Sequence, residues 1–195
     1  MRITLMIEGQ EGVTWPEWLA LVEAAEQGSL DGLFRSDHLT AVYRPEAASL
    51  DAWATLAALA AVTSRIRLGT LVTPATFRHP SVLARLVTTV DHVSGGRVEL
   101  GMGAGWYERE HREAGIPFPD ARTRFDLLAE QLEVIVRSWT EEAFDHTGAA
   151  YTLAAQTALP RPVQAPRPPL ILGGTAKRRG AGLAARWASE YNSLG

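Results

Sequence analysis

The sequence contains no cysteine, and this absence removes several kinds of site at once. Disulfide bonds and thiolate metal ligands are excluded, and a chain without cysteine suits a reducing cytoplasm, where we expect this protein to act. Long hydrophobic runs are also missing. No apolar stretch approaches the roughly 20 residues that a membrane helix needs, and residues 1–9 lack the long apolar region of a signal peptide. We therefore expect no membrane partner.

The sequence also lacks a concentration of positive charge. Its net charge is −3, and its longest basic run is Lys177-Arg178-Arg179, whereas nucleic-acid binding usually needs a strongly basic face. No serine–histidine–aspartate order of a hydrolase is present either. Four further histidines show no metal-ligand spacing, so we predict no metal site and a structural or solvated role for each: His79, His92, His111 and His146.

What the sequence does contain is a regular alternation of short apolar runs and amphipathic segments. Two segments stand outside the alternation: residues 106–119, predicted as an irregular loop, and residues 140–169, predicted as an excursion with a small hairpin around Thr147-Gly148 and a proline-rich connector. The predicted strands are 2–7, 31–36, 65–73, 98–100, 169–174 and 189–193, and the predicted helices are 15–27, 51–62, 80–94, 125–139 and 176–188.

This alternation is typical of an α/β domain with parallel strands and right-handed crossovers. Both an open doubly wound sheet and a (β/α)8 barrel of the TIM type fit it. Six β–α units in 195 residues fall short of the eight units and about 250 residues of a closed barrel. We therefore expect a single domain over residues 1–195 that is either an open sheet or a barrel incomplete at its carboxyl end.

In parallel folds of either kind, sites form where the strands end. These ends are polar and glycine-rich, which is the main internal indication of a ligand site; they comprise Glu8, Asp37, His38, Val72, Thr73, Gly103, Ala104, Gly105, Trp106, Gly173, Gly174, Thr175 and Asn192.

Three of these ends carry patterns with more than one interpretation. The loop 101–105 has glycines at alternate positions but lacks the third glycine of a dinucleotide fingerprint, so it suits a dinucleotide, a flavin-like ring or only a packed neighbour. The pair Asp37-His38 is either functional or a satisfied pair at the rim. Gly173-Gly174-Thr175, ahead of a basic helix start, is either a phosphate cradle or a plain turn.

Taken together, the motifs resemble the luciferase-like flavin-dependent oxidoreductases, and within them the branch that uses the deazaflavin coenzyme F420. This resemblance implies a (β/α)8 barrel with the cofactor ring at the carboxyl-terminal rim, of which about six units are present. The motifs that carry it are DGLFRSDHL (31–39), RIRLGTLVTPATFRHPSVLAR (65–85), SGGRVELGMGAGWYEREHREAGIPFP (94–119), RFDLLAEQLEVIVRSW (124–139) and PRPVQAPRPPLILGGTAKRRGAGLAARWASEYN (160–192).

The resemblance also implies roles for individual residues. His38 matches the candidate for acid–base work or substrate orientation, and Leu71-Val72 matches a strand bulge with a non-proline cis peptide behind the cofactor ring. Trp106 replaces the carboxylate of some sugar-phosphate-oxidising relatives, which disfavours that substrate class, and Glu108 is the nearest acid. The implied catalytic residues are His38 and Asp37, and the implied cofactor contacts are Asp37, His38, Leu71, Val72, Thr73, Gly103, Ala104, Gly105, Tyr107 (where relatives often carry Asn), Gly173, Gly174 and Thr175.

The function that this resemblance implies is hydride transfer between the deazaflavin and a small organic substrate by a homo-oligomer, a dimer in the simplest case. One alternative is an FMN-dependent monooxygenase of the same fold. An alternative of another class is a truncated non-catalytic remnant or a cofactor-binding module.

Overall fold

The computed structural model describes residues 1–175 and 177–193, and its strands and helices alternate along most of the chain. None of the helices in these ranges is long and apolar enough to cross a membrane. The strands are β1 Thr4–Ile7, β2 Gly32–Arg35, β3 Arg67–Thr70, β4 Thr73–Pro74, β5 Val98–Gly103, β6 Ala143–Thr147, β7 Thr152–Thr157, β8 Leu170–Gly174 and β9 Glu190–Ser193; the helices are α1 Trp15–Gln27, α2 Ala52–Val62, α3 Pro80–Ser94, α4 Glu108–Ala114, α5 Ala121–Thr140 and α6 Arg178–Trp187.

The main sheet is parallel, with strand order β1-β2-β3-β5-β8-β9. The third predicted strand, 65–73, is not continuous, because a cis peptide bond between Leu71 and Val72 divides it into β3 and β4. With β3 and β4 counted as one, the six predicted strands are confirmed. Consecutive helices contact each other in the series α1, α2, α3, α5 and α6, as expected of a layer wrapped around a sheet.

The sheet curls, and its two edge strands approach each other at the amino-terminal end. The guanidinium of Arg2, just ahead of β1, lies 2.8 Å from the carboxylate of Glu190, the first residue of β9. Its other nitrogen lies 2.6 Å from the buried carboxylate of Glu99 in β5, which also pairs with Arg67. An ion pair between the first and last strands requires curvature, so the structure is a partial (β/α)8 barrel rather than a flat open sheet.

The helices begin and end where local chemistry dictates. Thr14 and Glu17 form a capping box at the start of α1, and the Asp51 carboxylate accepts the Ala54 N–H at 2.7 Å at the start of α2. Helix α3 ends at Gly95, whose φ of 64° is the left-handed conformation that glycine adopts readily. Between these helices and the sheet lies one apolar core, in which fully burying one leucine side chain contributes about 1.5–3 kcal/mol.

The structure corrects the prediction for residues 106–119 and for the start of the helix predicted at 125–139, and it agrees with the predicted hairpin. Residues 106–119 are not an irregular loop, because they contain α4, and α5 begins at Ala121 behind the capping carboxylate of Asp120. The hairpin predicted around Thr147-Gly148 is confirmed as β6 and β7. The last predicted helix starts at residue 176, which lies outside the described residues; α6 itself begins at Arg178.

Candidate active site

The carboxylate of Asp37 lies just beyond β2 and is 1% exposed. The hydroxyl of Thr73 in β4 donates to its Oδ2 at 2.8 Å, and the Arg78 guanidinium donates to the same oxygen at 2.5 Å. Thr73 is oriented in turn by the indole N–H of Trp53, which donates to its Oγ1 at 3.0 Å. The bulge of the third strand and the end of β2 are thus joined through one buried carboxylate.

Two opposing effects act on the ionisation of Asp37. Burial raises the pKa of its carboxyl group, whereas the charge and hydrogen bonds of Arg78, with the Thr73 hydroxyl, oppose that rise. Arg78 is shared, because its second nitrogen also lies 3.0 Å from a carboxylate oxygen of Asp51. Both terminal nitrogens of the Arg78 guanidinium therefore bind carboxylates at the base of the site.

His38 is held by a carboxylate on α4. Its Nδ1 lies 2.9 Å from Glu110 Oε1, and the other oxygen of Glu110 accepts the backbone N–H of Leu39 at 2.8 Å. Glu110 is 1% exposed and the His38 side chain 11%. An ionised carboxylate can only accept, so Nδ1 is the donor when Glu110 is ionised, and in the neutral form of the ring Nε2 is then an acceptor. Among residues 1–175 and 177–193, none forms a hydrogen bond with Nε2.

Two aromatic rings flank His38. The ring of Trp106 lies edge-on at 5.7 Å between centroids, and the ring of Tyr107 does the same at 6.0 Å. Trp106 and Tyr107 contact each other at 5.2 Å with an angle of 36° between their planes. Tyr107 is half-buried, whereas Trp106 is 62% exposed. The imidazole is therefore bordered by two aromatic rings as well as by the Glu110 carboxylate.

The cis peptide bond between Leu71 and Val72, which the resemblance implied, is present. Both residues are half-buried, and the Val72 side chain fills the space beside Gly103 and Gly173: a Cβ on either glycine would lie 2.8 Å from a Val72 methyl. At Gly101 a Cβ would lie 1.9 Å from the Thr70 carbonyl oxygen. Close packing thus accounts for these glycines, which do not by themselves indicate a ligand.

The turn Gly173-Gly174-Thr175 leads into α6 with chemistry suited to an anion. Lys177 is the N-cap residue of α6, and its side chain makes no capping hydrogen bond to the first N–H groups of the helix. Thr175, Lys177 and Arg178 are exposed. Arg179 instead forms a close ion pair with Asp126 on α5.

The structure brings most of the predicted site residues to one rim and leaves a few aside. Asp37 accepts a hydrogen bond from Thr73, and Val72 packs against Gly103 and Gly173. The ring of His38 contacts the ring of Tyr107. Ala104 packs against the core, and Gly105, with a φ of 82°, faces the hydroxyl of Thr76. Thr175 is exposed at the far end of the Gly173-Gly174 turn.

Sequence reasoning missed two of the most closely involved residues, Arg78 and Glu110. It singled out Glu108 as the nearest acid, but Glu108 is exposed and the acid that contacts His38 is Glu110. A signal for Glu110 did exist in the helix-stop pattern Gly115-Ile116-Pro117, which marks α4. Among the residues that the structure describes, no group of histidines and acids is arranged to hold a metal ion.

The chain is similar to several known proteins over most of its length. A curated relative from Microbacterium testaceum, named F420-dependent glucose-6-phosphate dehydrogenase, is 35% identical over 170 residues, which are 86% of this chain and 49% of the relative. An uncharacterized protein of Mycobacterium tuberculosis is 40% identical over 131 residues, which are 66% of this chain and 45% of the relative. The chain thus spans about half the length of these curated relatives.

Solved structures share the fold. The monooxygenase RslO1 from Streptomyces bottropensis is 28% identical with a TM-score of 0.80, covering 95% of this chain and 57% of its own. An F420-dependent secondary alcohol dehydrogenase, solved with an F420-acetone adduct, has a TM-score of 0.82 at 24% identity, covering 98% of this chain and 58% of its own. Residues 2–192 match the family model described as luciferase-like monooxygenase, and the chain belongs to that family.

Proposed function

We propose that this chain forms the active-site part of an oxidoreductase that transfers hydride between the deazaflavin coenzyme F420 and a small organic substrate. The observation that carries the proposal is the arrangement of His38: its Nδ1 is held by Glu110 and its Nε2 is left as an acceptor. The 35% identical relative named as F420-dependent supports the choice of cofactor.

The residues present fit such a cofactor at two points. The half-buried pair Leu71-Val72 offers an apolar surface next to the polar group formed by Asp37 and Thr73, which suits a ring with both apolar faces and polar edges. The start of α6, where the side chain of the N-cap residue Lys177 makes no capping hydrogen bond and both Lys177 and Arg178 are exposed, suits a phosphorylated tail. Leu71, Val72 and Asp37 would hold the ring, and the Gly173-Gly174-Thr175 turn would hold the phosphate.

A bound deazaflavin supplies the hydride chemistry itself, accepting a hydride from the substrate or returning it. In the oxidation of an alcohol, the role of the protein is proton transfer. His38 Nε2 accepts the hydroxyl proton while the substrate carbon loses its hydride and becomes a carbonyl carbon. Glu110 keeps the Nδ1 proton in place and stabilises the imidazolium that results. Asp37, held by Arg78, fixes the floor of the site.

Cofactor binding tests the proposal. The purified chain is titrated separately with coenzyme F420 and with FMN, and binding is followed by the absorbance and fluorescence of each cofactor. We expect F420 to bind and FMN to bind far more weakly. Tight binding of FMN without binding of F420 would contradict the proposal and favour the monooxygenase alternative, which the 28% identical monooxygenase RslO1 supports.

A substitution at His38 tests its role separately. We predict that His38→Ala lowers turnover by about 10²–10⁴-fold, the range typical of a lost general acid–base, while the affinity for the cofactor changes little. The matched control is His79→Ala, because His79 caps α3 from an exposed position. Unchanged turnover in His38→Ala would remove this residue from its role.

A chain that binds neither cofactor and unfolds without cooperativity would favour the non-catalytic alternative. The dimeric state and the cytoplasmic location stay predictions.

A further inference from the structure

The surface next to His38 carries apolar side chains that are exposed to solvent. We define the aromatic ledge as Leu39, Trp106 and Tyr107. Trp106 is 62% exposed and Leu39 36%, and Tyr107 lies beneath Trp106 with ring centroids 5.2 Å apart. A single exposed apolar side chain is ordinary on a protein surface. Here the exposed indole instead lies beside the imidazole, at 5.7 Å, in the proposed reaction site.

The ledge is also held in place by the same carboxylate as the imidazole. Glu110 binds His38 Nδ1 at 2.9 Å and the backbone N–H of Leu39 at 2.8 Å. Tyr107 is the N-cap residue of α4, the helix that carries Glu110, and Nδ1 of the buried His111 ring on that helix donates to the Tyr107 carbonyl oxygen at 2.8 Å. The imidazole of His38 and the backbone at Leu39 and Tyr107 are therefore all tied to α4.

The charged groups around the ledge leave little for an anionic substrate. Among the described residues, the buried acids Asp37 and Glu110 border the site, and several arginines around it are engaged by other groups. The exposed cations Lys177 and Arg178 lie at the start of α6, where the proposed function assigns them to the tail of the cofactor. An anion placed at His38 would therefore lie beside a buried carboxylate. The engaged arginines are Arg44 with Glu11, Arg78 with Asp37 and Asp51, Arg109 with Glu113, and Arg124 with the Gly105 carbonyl.

We propose that the aromatic ledge binds the ring of an uncharged aromatic alcohol or aldehyde, with the substrate oxygen at His38 Nε2, and that phosphorylated sugars are not substrates. The proposal rests on the proposed function above and sharpens it to a substrate class. It separates this chain from the 35% identical relative named as a glucose-6-phosphate dehydrogenase. A flat ring placed against an exposed indole gains stacking as well as burial of apolar area.

Ligand binding without the cofactor tests this proposal. Saturation-transfer difference NMR of the purified chain is recorded with benzyl alcohol and, separately, with glucose 6-phosphate. We expect transfer to the ring protons of benzyl alcohol and none to glucose 6-phosphate. Trp106→Ala should weaken benzyl alcohol binding about fivefold, and Trp106→Phe should retain most of it. Trp15→Ala is the control, because Trp15 is also exposed, at 37%, but lies on α1.

Each outcome decides the matter. Loss of binding in Trp106→Ala alone supports the ledge, while an equal loss in Trp15→Ala, or no loss in either, overturns it. Binding of glucose 6-phosphate that weakens as salt is added also overturns it. If Trp106→Ala does not fold, the graded comparison of Trp106→Phe with Trp106→Leu replaces it, and equal binding by both overturns the ledge. Benzyl alcohol binding that depends on Trp106 in a chain that binds no F420 would sink the proposed function and leave the ledge standing.

Discussion

At the scale of single residues, one buried carboxylate depends on one cation. Asp37 is 1% exposed, and Arg78 donates to its two oxygens at 2.5 and 3.3 Å. Burial raises the pKa of Asp37, and the guanidinium is the main group that opposes this rise. Without Arg78, the hydroxyl of Thr73 would be the remaining hydrogen-bond donor to this charge among the described side chains.

We predict that Arg78→Met lowers the free energy of unfolding by about 3–5 kcal/mol at neutral pH, because an uncompensated charge stays buried. This decrease in the free energy of unfolding should become smaller as the pH is lowered. A carboxyl group whose folded pKa is raised contributes stability below its unfolded pKa of about 3.9, and that contribution is lost as the pH rises through the folded value. Urea unfolding followed by tryptophan fluorescence, at neutral pH and near pH 4, measures the difference.

The double variant Asp37→Asn/Arg78→Met is the matched control for this prediction. It removes both charges, so it should be more stable than Arg78→Met at neutral pH. Its stability should also lack the dependence on pH that the ionisation of Asp37 causes in Arg78→Met. A double variant that is no more stable than the single one would mean that Arg78 acts through packing and not through Asp37.

The sequence could predict the location of a site residue only where that residue directly follows a strand. Asp37 and His38 follow an apolar run, so they were predictable at the rim from β2 alone. Their partners were not, since Arg78 lies 41 residues from Asp37 and Glu110 lies 72 residues from His38. Such contacts depend on how separate elements pack, and no local pattern encodes that distance.

At the scale of elements, a single carboxylate fastens the β6–β7 hairpin to α5. Glu130 accepts the backbone N–H groups of Ala150 and Tyr151 at 3.0 and 2.8 Å, and its Oε1 lies 3.0 Å from His146 Nε2. Burial alone would raise the pKa of Glu130, but these hydrogen bonds outweigh it and lower the pKa. The hairpin therefore depends on an ionised side chain.

We predict that Glu130→Gln lowers the free energy of unfolding by about 1–3 kcal/mol at neutral pH. A carboxyl group with a lowered folded pKa stabilises above its unfolded pKa of about 4.3, and this stability disappears as the pH falls through the folded value. The variant and the parent should therefore converge in acid. Urea unfolding at several pH values and amide hydrogen exchange in β6 and β7 measure both effects.

Glu133→Gln is the matched control on the same helix. Its carboxylate is 39% exposed and lies 3.9 Å from His146 and from Arg137, so its loss should change stability by less than about 0.5 kcal/mol. Equal losses in the two variants, or a loss that does not depend on pH, would contradict the assignment to Glu130.

Helix α4 shows why one element escaped prediction. Its sequence, EREHREA, has no apolar spacing, so periodicity gave no helix signal. The side chains that it buries are polar, Glu110 and His111, and each is satisfied by residues from other segments. A helix held by tertiary hydrogen bonds can be recognised from its end, here Gly115 with a φ of 68°, but not from its hydrophobic pattern.

At the scale of the whole molecule, the alternation of strands and helices was enough to predict six parallel strands, but not their curvature. The same alternation fits an open sheet, and the choice between the two depends on contacts between the first and last strands. One such contact is the ion pair between Arg2 and Glu190, and Arg2 also binds Glu99 in β5. The break of the third strand at Leu71-Val72 was indicated by the resemblance alone, because the run RIRLGTLVT reads as one continuous strand.

Curvature at the amino-terminal end of the sheet should depend far more on Glu99 than on Glu190. Glu99 is 1% exposed and joins Arg2 and Arg67, whereas Glu190 is 51% exposed. We predict that Glu99→Gln lowers the free energy of unfolding by about 1–3 kcal/mol and speeds amide exchange in both β1 and β9. Glu190→Gln removes an exposed ion pair and should cost less than about 0.5 kcal/mol. Urea unfolding and hydrogen exchange compare the two, and similar losses would mean that the link between the edge strands, and not the buried carboxylate, sets the curvature.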